Sequence, residues 1–254
     1  MAPQGEILAS KIPAVREAPN VSLGYARYLK AIQEQRGMSL AAPENDYLSN
    51  LKVVEKFPWC IYHRPIRRAV QRVITAQEAN RGRLSILNVG CGLSQVLKYI
   101  PEIHYYHGLD IDERAVQICR RLFRSREKVE FDLAGGYDLP VEDGRFDVVF
   151  ATEVVEHVLE PERWLAELVR SANAGGAVQL STPNYGDWVL PLIEKTVLEW
   201  IARRQGFTRK GLHPTPFDRH SLQHLMEDAG LVNVKVYKTP LSLALIGTGY
   251  KPFE

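Results

Sequence analysis

The sequence predicts an α/β fold, a doubly wound, mostly parallel sheet of seven strands, and three observations predict it. From Leu84 onward short apolar runs recur without polar alternation, as strands covered on both faces require. Helical patterns such as 113–125 and 160–172 fall between those runs and supply the crossovers that parallel strands need. The last two runs are separated only by Lys238–Pro240, too short for a crossover, so they pair antiparallel at or near one edge.

Taken in order, residues 1–20 carry three prolines among small polar residues and read as a loosely ordered start. Leu23, Ala26, Tyr28, Leu29 and Ile32 fall near helical spacing and predict a helix over 21–36, and a second apolar-basic helix is predicted over 66–79. Residues 1–82 are therefore expected as a helical leader or cap, and 83–254 as the sheet domain. Strands are predicted at 84–89, 105–110, 129–133, 146–151, 177–182, 232–237 and 241–247, the last antiparallel. Residues 186–212 are too long for a bare loop and contain VLPLIEKTVLEWIARR, which predicts a helical, lid-like insertion after the fifth strand.

The 254 residues fit one such domain with an appendage. Hydrophobic residues at 45% and charged residues at 24% are the usage of a globular protein with a full core, which excludes global disorder and a fibrous fold. Lys and Arg number 32 against 30 Asp and Glu, a balance of +2 that argues against a nucleic-acid partner. The three cysteines, Cys60, Cys91 and Cys119, show neither metal-site pairing nor disulfide density, which suggests a reducing cytoplasm. No signal-peptide run and no window of roughly 18 apolar residues is present, so no membrane span is expected.

Directly after the first strand stands Asn88-Val89-Gly90-Cys91-Gly92-Leu93-Ser94-Gln95, followed by the helical run VLKYI. Glycines at a strand end let the backbone approach a ligand without a Cβ in the way, and a helix beginning there offers unpaired N–H groups. The pattern is that of a nucleotide-cofactor loop, or of a plain two-glycine turn. The second strand ends at Asp110, at the spacing from Gly90 where a carboxylate reaches a ribose diol across the switch point of such a sheet. Capping the helix from Glu113 is the other use for an acid here, and Asp112 fits it. Gln95 stands where a dinucleotide loop wants its third glycine, which makes NAD the second choice of cofactor.

A second constellation follows the fourth strand. If Ala151–Val158 opens a helix, Glu153, Glu156 and His157 are i, i+3 and i+4 on one face, aimed at the strand ends where ligands bind. Two acids this close repel unless a cation stands between them, and a hard divalent ion such as Mg²⁺ is one solution. The alternatives are acids favoured by a helix N-terminus, and metal-free base chemistry. His213, in GLHPTPF, offers a second imidazole. His63, His104, His107, His220 and His224 lack such company and are expected at the surface or in structural roles.

LNVGCG, GLDID, DLPVEDGRFDVVFATEVVEHV, STPN and HPTPFDRHSLQHLMEDAGLVNVKV, in that order, resemble class I S-adenosylmethionine-dependent methyltransferases, a Rossmann-like family. The branch containing the ubiquinone-biosynthesis O-methyltransferases is the most similar, over roughly residues 60–250. The resemblance implies S-adenosylmethionine as cofactor. Gly90 and Gly92 would lie under its methionine part, Asp110 on the ribose, Ile111 beside the adenine, and Asp132 with Leu133 at the adenine edge. The segment Tyr62-His63-Arg64-Pro65-Ile66-Arg67 is similar to one whose Arg after Pro pairs with the cofactor carboxylate, a role Arg67 inherits. Asn88 and Ser94 depart from the acid and the third glycine usual in the family. ExxEH with a later His also resembles the small-RNA 2′-O-methyltransferases, where Glu153, Glu156, His157 and His213 would hold a divalent ion. The expected function is O-methylation of a small-molecule hydroxyl on a sugar, phenolic or lipid-like compound. His157, Glu156 and His213 would be its catalytic groups, with Glu153 beside the cofactor. An RNA 2′-O-methyltransferase and a non-catalytic cofactor-binding scaffold are the alternatives.

Overall fold

The structure is a computed structural model and describes residues 59–253 apart from 103, 199 and 201–212. The expected helix over 21–36 and the second half of the insertion lie outside the described residues.

Helix α1 (Trp59–Arg81) encloses the predicted 66–79 and is followed by β1 (Ser85–Val89), β2 (Tyr105–Asp110) and α2 (Glu113–Leu122). Then come β3 (Val129–Leu133), β4 (Phe146–Thr152), α3 (Pro161–Ser171) and β5 (Ala172–Pro183). The insertion contributes α4 (Val189–Ile193) and a π-helical turn over Glu194–Leu198. The chain ends in α5 (Arg219–Asp228), β6 (Val232–Lys238) and β7 (Ala244–Tyr250). The seven strands form one sheet in the order β3-β2-β1-β4-β5-β7-β6. The first five are parallel, while β7 runs antiparallel to both β5 and β6. Strand order therefore reverses between β1 and β4, the switch point at whose carboxyl ends open α/β sheets bind their ligands.

The helices form where local chemistry agrees with packing. Asp112 caps α2 by accepting from the Arg114 amide, Glu113 and Arg120–Arg121 complement its dipole, and Ala115, Val116 and Cys119 face inward. Proline opens α3, and Trp164, Leu165 and Leu168 form its buried stripe. Asp218 and Ser221 cap α5 reciprocally. One face of the sheet buries α3 and α5, through Trp164, Leu165, Leu222 and Met226. The other buries α1 and α2, through Val70, Val73, Ile74, Val116 and Cys119 against Ile86, Tyr106 and Phe150. Helix α1 thus packs directly on the sheet. Among the described residues no helix is long and apolar enough to cross a membrane.

Local expectations shift in four places. Strand β7 starts at Ala244, not Leu241, because Leu241 (φ 61°) and Ser242 (φ 56°) form the tight turn that brings the chain back onto β6. Strand β5 begins five residues early, at Ala172. The helix expected after the glycine loop is one 3₁₀ turn, Gln95–Tyr99, entered through Ser94 at φ 47°. The helix expected at 153–157 is likewise a 3₁₀ turn, Val155–His157, because Glu153 stands at φ 59° and breaks helical continuity from β4.

Candidate active site

The glycine loop leaves β1 by a turn that only Gly90 permits. At φ 72° a Cβ there would stand 2.4 Å from Val154 Cγ2. The Gly90 and Cys91 amides both donate to Leu109 O, at 2.8 and 2.9 Å. Gly92 N–H donates to Asp110 Oδ2 at 2.7 Å, and Asp112 N–H to Oδ1 at 2.9 Å. Asp110 thereby ties the loop to the end of β2. Burial raises its pKa, and the two amide bonds oppose that rise. Each oxygen keeps a lone pair for a diol. Ile111 beside it is 41% exposed.

The two departures from the family's loop belong to one arrangement. Asn88 Nδ2–H donates to Tyr106 Oη at 2.7 Å, and Ser94 Oγ lies 3.1 Å from the same oxygen. A tyrosine buried in β2 thus supports the loop from beneath. Arg67 reaches the turn after the loop, its guanidinium 4.3 Å from the centre of the Tyr99 ring. On β3 the Asp132 carboxylate is taken up by His107 Nε2 at 2.9 Å and Arg120 at 2.6 Å. Leu133, register partner of Asp110, is left exposed at the strand's carboxyl end.

Beside the loop, the second constellation divides in two. With Glu153 in a left-handed conformation, its side chain turns to Ser181 Oγ, which donates to Oε1 at 2.8 Å, and to the Tyr62 hydroxyl, which donates to Oε2. Burial pushes its pKa up to about 7. Glu156 is 1% exposed, its pKa raised well above the carboxylate range by burial and then by the Glu153 charge. Its Oε2 is buried and accepts no hydrogen bond of good geometry among the described residues. Glu156, His157 and His213 each place one ligand atom within 4.8 Å of the others. The two imidazoles meet edge to face at 4.8 Å. The structure therefore gathers three of the four residues expected at a metal, while Glu153 is turned to Tyr62 and Ser181 because its own backbone leaves the helical path.

Behind His213 stands a pair that sequence reasoning missed. The Tyr185 hydroxyl bonds His213 Nδ1 and donates to Glu194 Oε2 at 2.9 Å. A phenol has one proton, so with it given to Glu194 the oxygen accepts from Nδ1–H, and Nε2 of a neutral His213 carries a lone pair. Tyr185 follows STPN directly, and Glu194 is the first acid of the π turn in the insertion. Their places in the chain were visible, but only the fold brings them to His213. Tyr62 likewise sits in a legible motif, but only the fold brings it to Glu153. Among the other histidines, His104 accepts from Leu84 N–H and is buried, and His107 is held by Asp132.

Residues 87–180 match the family described as a methyltransferase domain. Ajmaline N-methyltransferase of Rauvolfia serpentina is 29% identical over 99 residues, 37% of this chain and 34% of that one. A ubiquinone biosynthesis O-methyltransferase of Aromatoleum aromaticum is 27% identical over 157 residues, 59% of this chain and 66% of that one. The chain thus spans about a third to two thirds of the length of these curated relatives. A solved S-adenosylmethionine-dependent methyltransferase from Aquifex aeolicus superposes with a TM-score of 0.56 at 16% identity, covering 82% of this chain and 99% of that one. Over residues 87–180 the chain matches a methyltransferase domain by sequence, and the sheet around that segment shares the fold of a solved S-adenosylmethionine-dependent methyltransferase.

Proposed function

We propose that the chain transfers the methyl group of S-adenosylmethionine to a hydroxyl of a small molecule. The observation that carries the reading is the convergence of Glu156, His157 and His213 at the strand ends beside the glycine loop, with Tyr185 and Glu194 fixing His213. In this reading Gly90 and Gly92 admit the methionine part, Arg67 meets its carboxylate, Asp110 takes the ribose diol, and Ile111 and Leu133 flank the adenine. Displacement at the sulfonium carbon is in line, so the protein's work is to position the acceptor and remove its proton. His213 Nε2 suits that task, because Tyr185 and Glu194 hold the other ring nitrogen. The buried Glu156 carboxylate beside two imidazoles also fits a divalent cation, held by Glu156, His157 and His213. Such an ion would lower the pKa of an acceptor hydroxyl.

The relatives' names include both N- and O-methyltransferases, and the imidazoles favour oxygen, since a hydroxyl has more need of a base than an amine. The three free cysteines fit a cytoplasmic setting. Calorimetry with S-adenosylmethionine, with and without Mg²⁺ or Mn²⁺ and chelator, is the first test, and micromolar binding lost in Asp110→Ala is expected. Labelled-methyl transfer to a panel of phenols, sugars, amines and short RNAs then assigns the acceptor. Transfer to amines alone, or to RNA 3′ ends alone, would replace the reading, and cofactor binding without any transfer would support a scaffold. His213→Gln should lower turnover by about 100-fold or more with cofactor affinity unchanged.

A further inference from the structure

Cys91 and Cys119 take no part in that chemistry, yet they lie beneath the loop that serves it. Cys91 stands between the two loop glycines, and Cys119 lies on the inner face of α2; they are 7% and 0% exposed. Both sulfurs approach one acceptor, the carbonyl oxygen of Gly92, Cys119 at 3.2 Å and Cys91 at 3.8 Å. Sharing that one oxygen places the two thiols side by side. The neighbouring Cys91 draws the Cys119 pKa below the ordinary thiol value, so Cys119 is the readier thiolate. Reaching disulfide geometry would replace the thiol bonds to Gly92 O and draw the loop toward α2. The backbone runs close to its neighbours here, since a Cβ on Gly90 would stand 2.4 Å from Val154 Cγ2 and one on Gly108 would meet Phe131 at 2.6 Å and Cys91 Sγ at 3.1 Å.

We propose that Cys91 and Cys119 form a peroxide-sensitive disulfide pair whose oxidation displaces the Gly92 amide from Asp110 and so weakens cofactor binding. The Cys119 thiolate attacks one peroxide oxygen, breaks the O–O bond and becomes a sulfenic acid as hydroxide leaves and takes up a proton. The Cys91 thiol then attacks that sulfur, forming S–S and releasing water. Two thiols lose two electrons and two protons, and hydrogen peroxide becomes two waters; a dithiol reductant reverses the step. Because both sulfurs are covered, oxidation requires the loop to open, and a bound cofactor holds it closed.

The readout of affinity rests on the cofactor reading above, whereas formation of the bond does not. The full chain carrying Cys60→Ser, which removes the third thiol, is treated with hydrogen peroxide with and without S-adenosylhomocysteine, alkylated, and analysed by intact mass and peptide mapping. The expected result is a dithiothreitol-reversible loss of two hydrogens, a Cys91–Cys119 cross-linked peptide, slower reaction with S-adenosylhomocysteine, and an S-adenosylmethionine affinity lower by about tenfold or more. Adding Cys119→Ala should leave an affinity that peroxide no longer changes. Oxygen addition without the cross-link overturns the proposal, as does a cross-linked form that binds like the reduced one. If the reduced protein binds no S-adenosylmethionine but still cross-links, the cofactor reading fails while the disulfide stands.

Discussion

Gly90 shows how much one residue decides. Its φ of 72° and the 2.4 Å that would separate a Cβ from Val154 Cγ2 are two independent objections to any side chain. Gly90→Ala is expected to cost about 1–3 kcal/mol of stability and to weaken S-adenosylmethionine binding while retaining the fold; thermal unfolding and calorimetry on the variant measure both. A second residue-scale effect is electrostatic. His63, beside Tyr62 on α1, has its pKa lowered by burial from 6.5 to about 4. The unfolded chain therefore takes up a proton near pH 6.5 that the folded chain refuses until about pH 4. Stability is full above the higher value and falls as pH drops through this window, by at most about 1.4 kcal/mol per unit. His63→Gln should flatten that slope, compared as urea midpoints at pH 7.5 and pH 5; parallel slopes in the two proteins would refute the assignment.

At the scale of elements, the insertion contributes chemistry as well as cover. Its π turn carries Glu194 to the Tyr185 hydroxyl, and through it to His213. Glu194→Gln and Tyr185→Phe are each expected to lower turnover by about 10- to 100-fold with cofactor affinity unchanged. The double variant should lose little more than either single, since both act through the same imidazole nitrogen. Single-turnover methyl transfer checks this, and fully additive losses would separate the two residues. Here also lies the boundary of what sequence could show. Strands β1 to β4 and the Asp112 cap were legible because they rest on local apolar runs and on spacing along the chain. The motifs brought Gly90, Asp110, Glu156, His157 and His213 to notice for the same reason. The turns at Ser94, Glu153 and Leu241 were not legible, since non-glycine residues at positive φ are held by tertiary contacts that no local pattern records. The Tyr62–Glu153 bond joins residues 91 apart and had no sequence signal at all.

The whole molecule turns on where the fold begins. Sequence reasoning divides the chain at residue 82, since the glycine loop and every strand follow it. Helix α1, before that boundary, packs on the sheet all the same. Ile66, Val70, Val73 and Ile74 of α1 are each at most 8% exposed; the last three close one face over β1 and β4, while Ile66 meets Ala244 and Ile246 of β7. Arg81 adds a bond to Ala174 O at 2.7 Å, and Gln77 one to Gly175 O at 3.3 Å, both at the start of β5. Each buried aliphatic side chain contributes about 1.5–3 kcal/mol, so the four together rival the roughly 5–15 kcal/mol that holds a domain folded. The helix also delivers Tyr62 to Glu153 and Arg67 to the loop, so fold and site depend on it alike. A fragment of residues 83–254 is expected to be insoluble or molten, with a bare apolar sheet face, whereas 59–254 should unfold cooperatively and bind S-adenosylmethionine. Circular dichroism melts and calorimetry on the two fragments decide between them. A cooperative transition in the shorter one would make α1 a true appendage and return the boundary to residue 82.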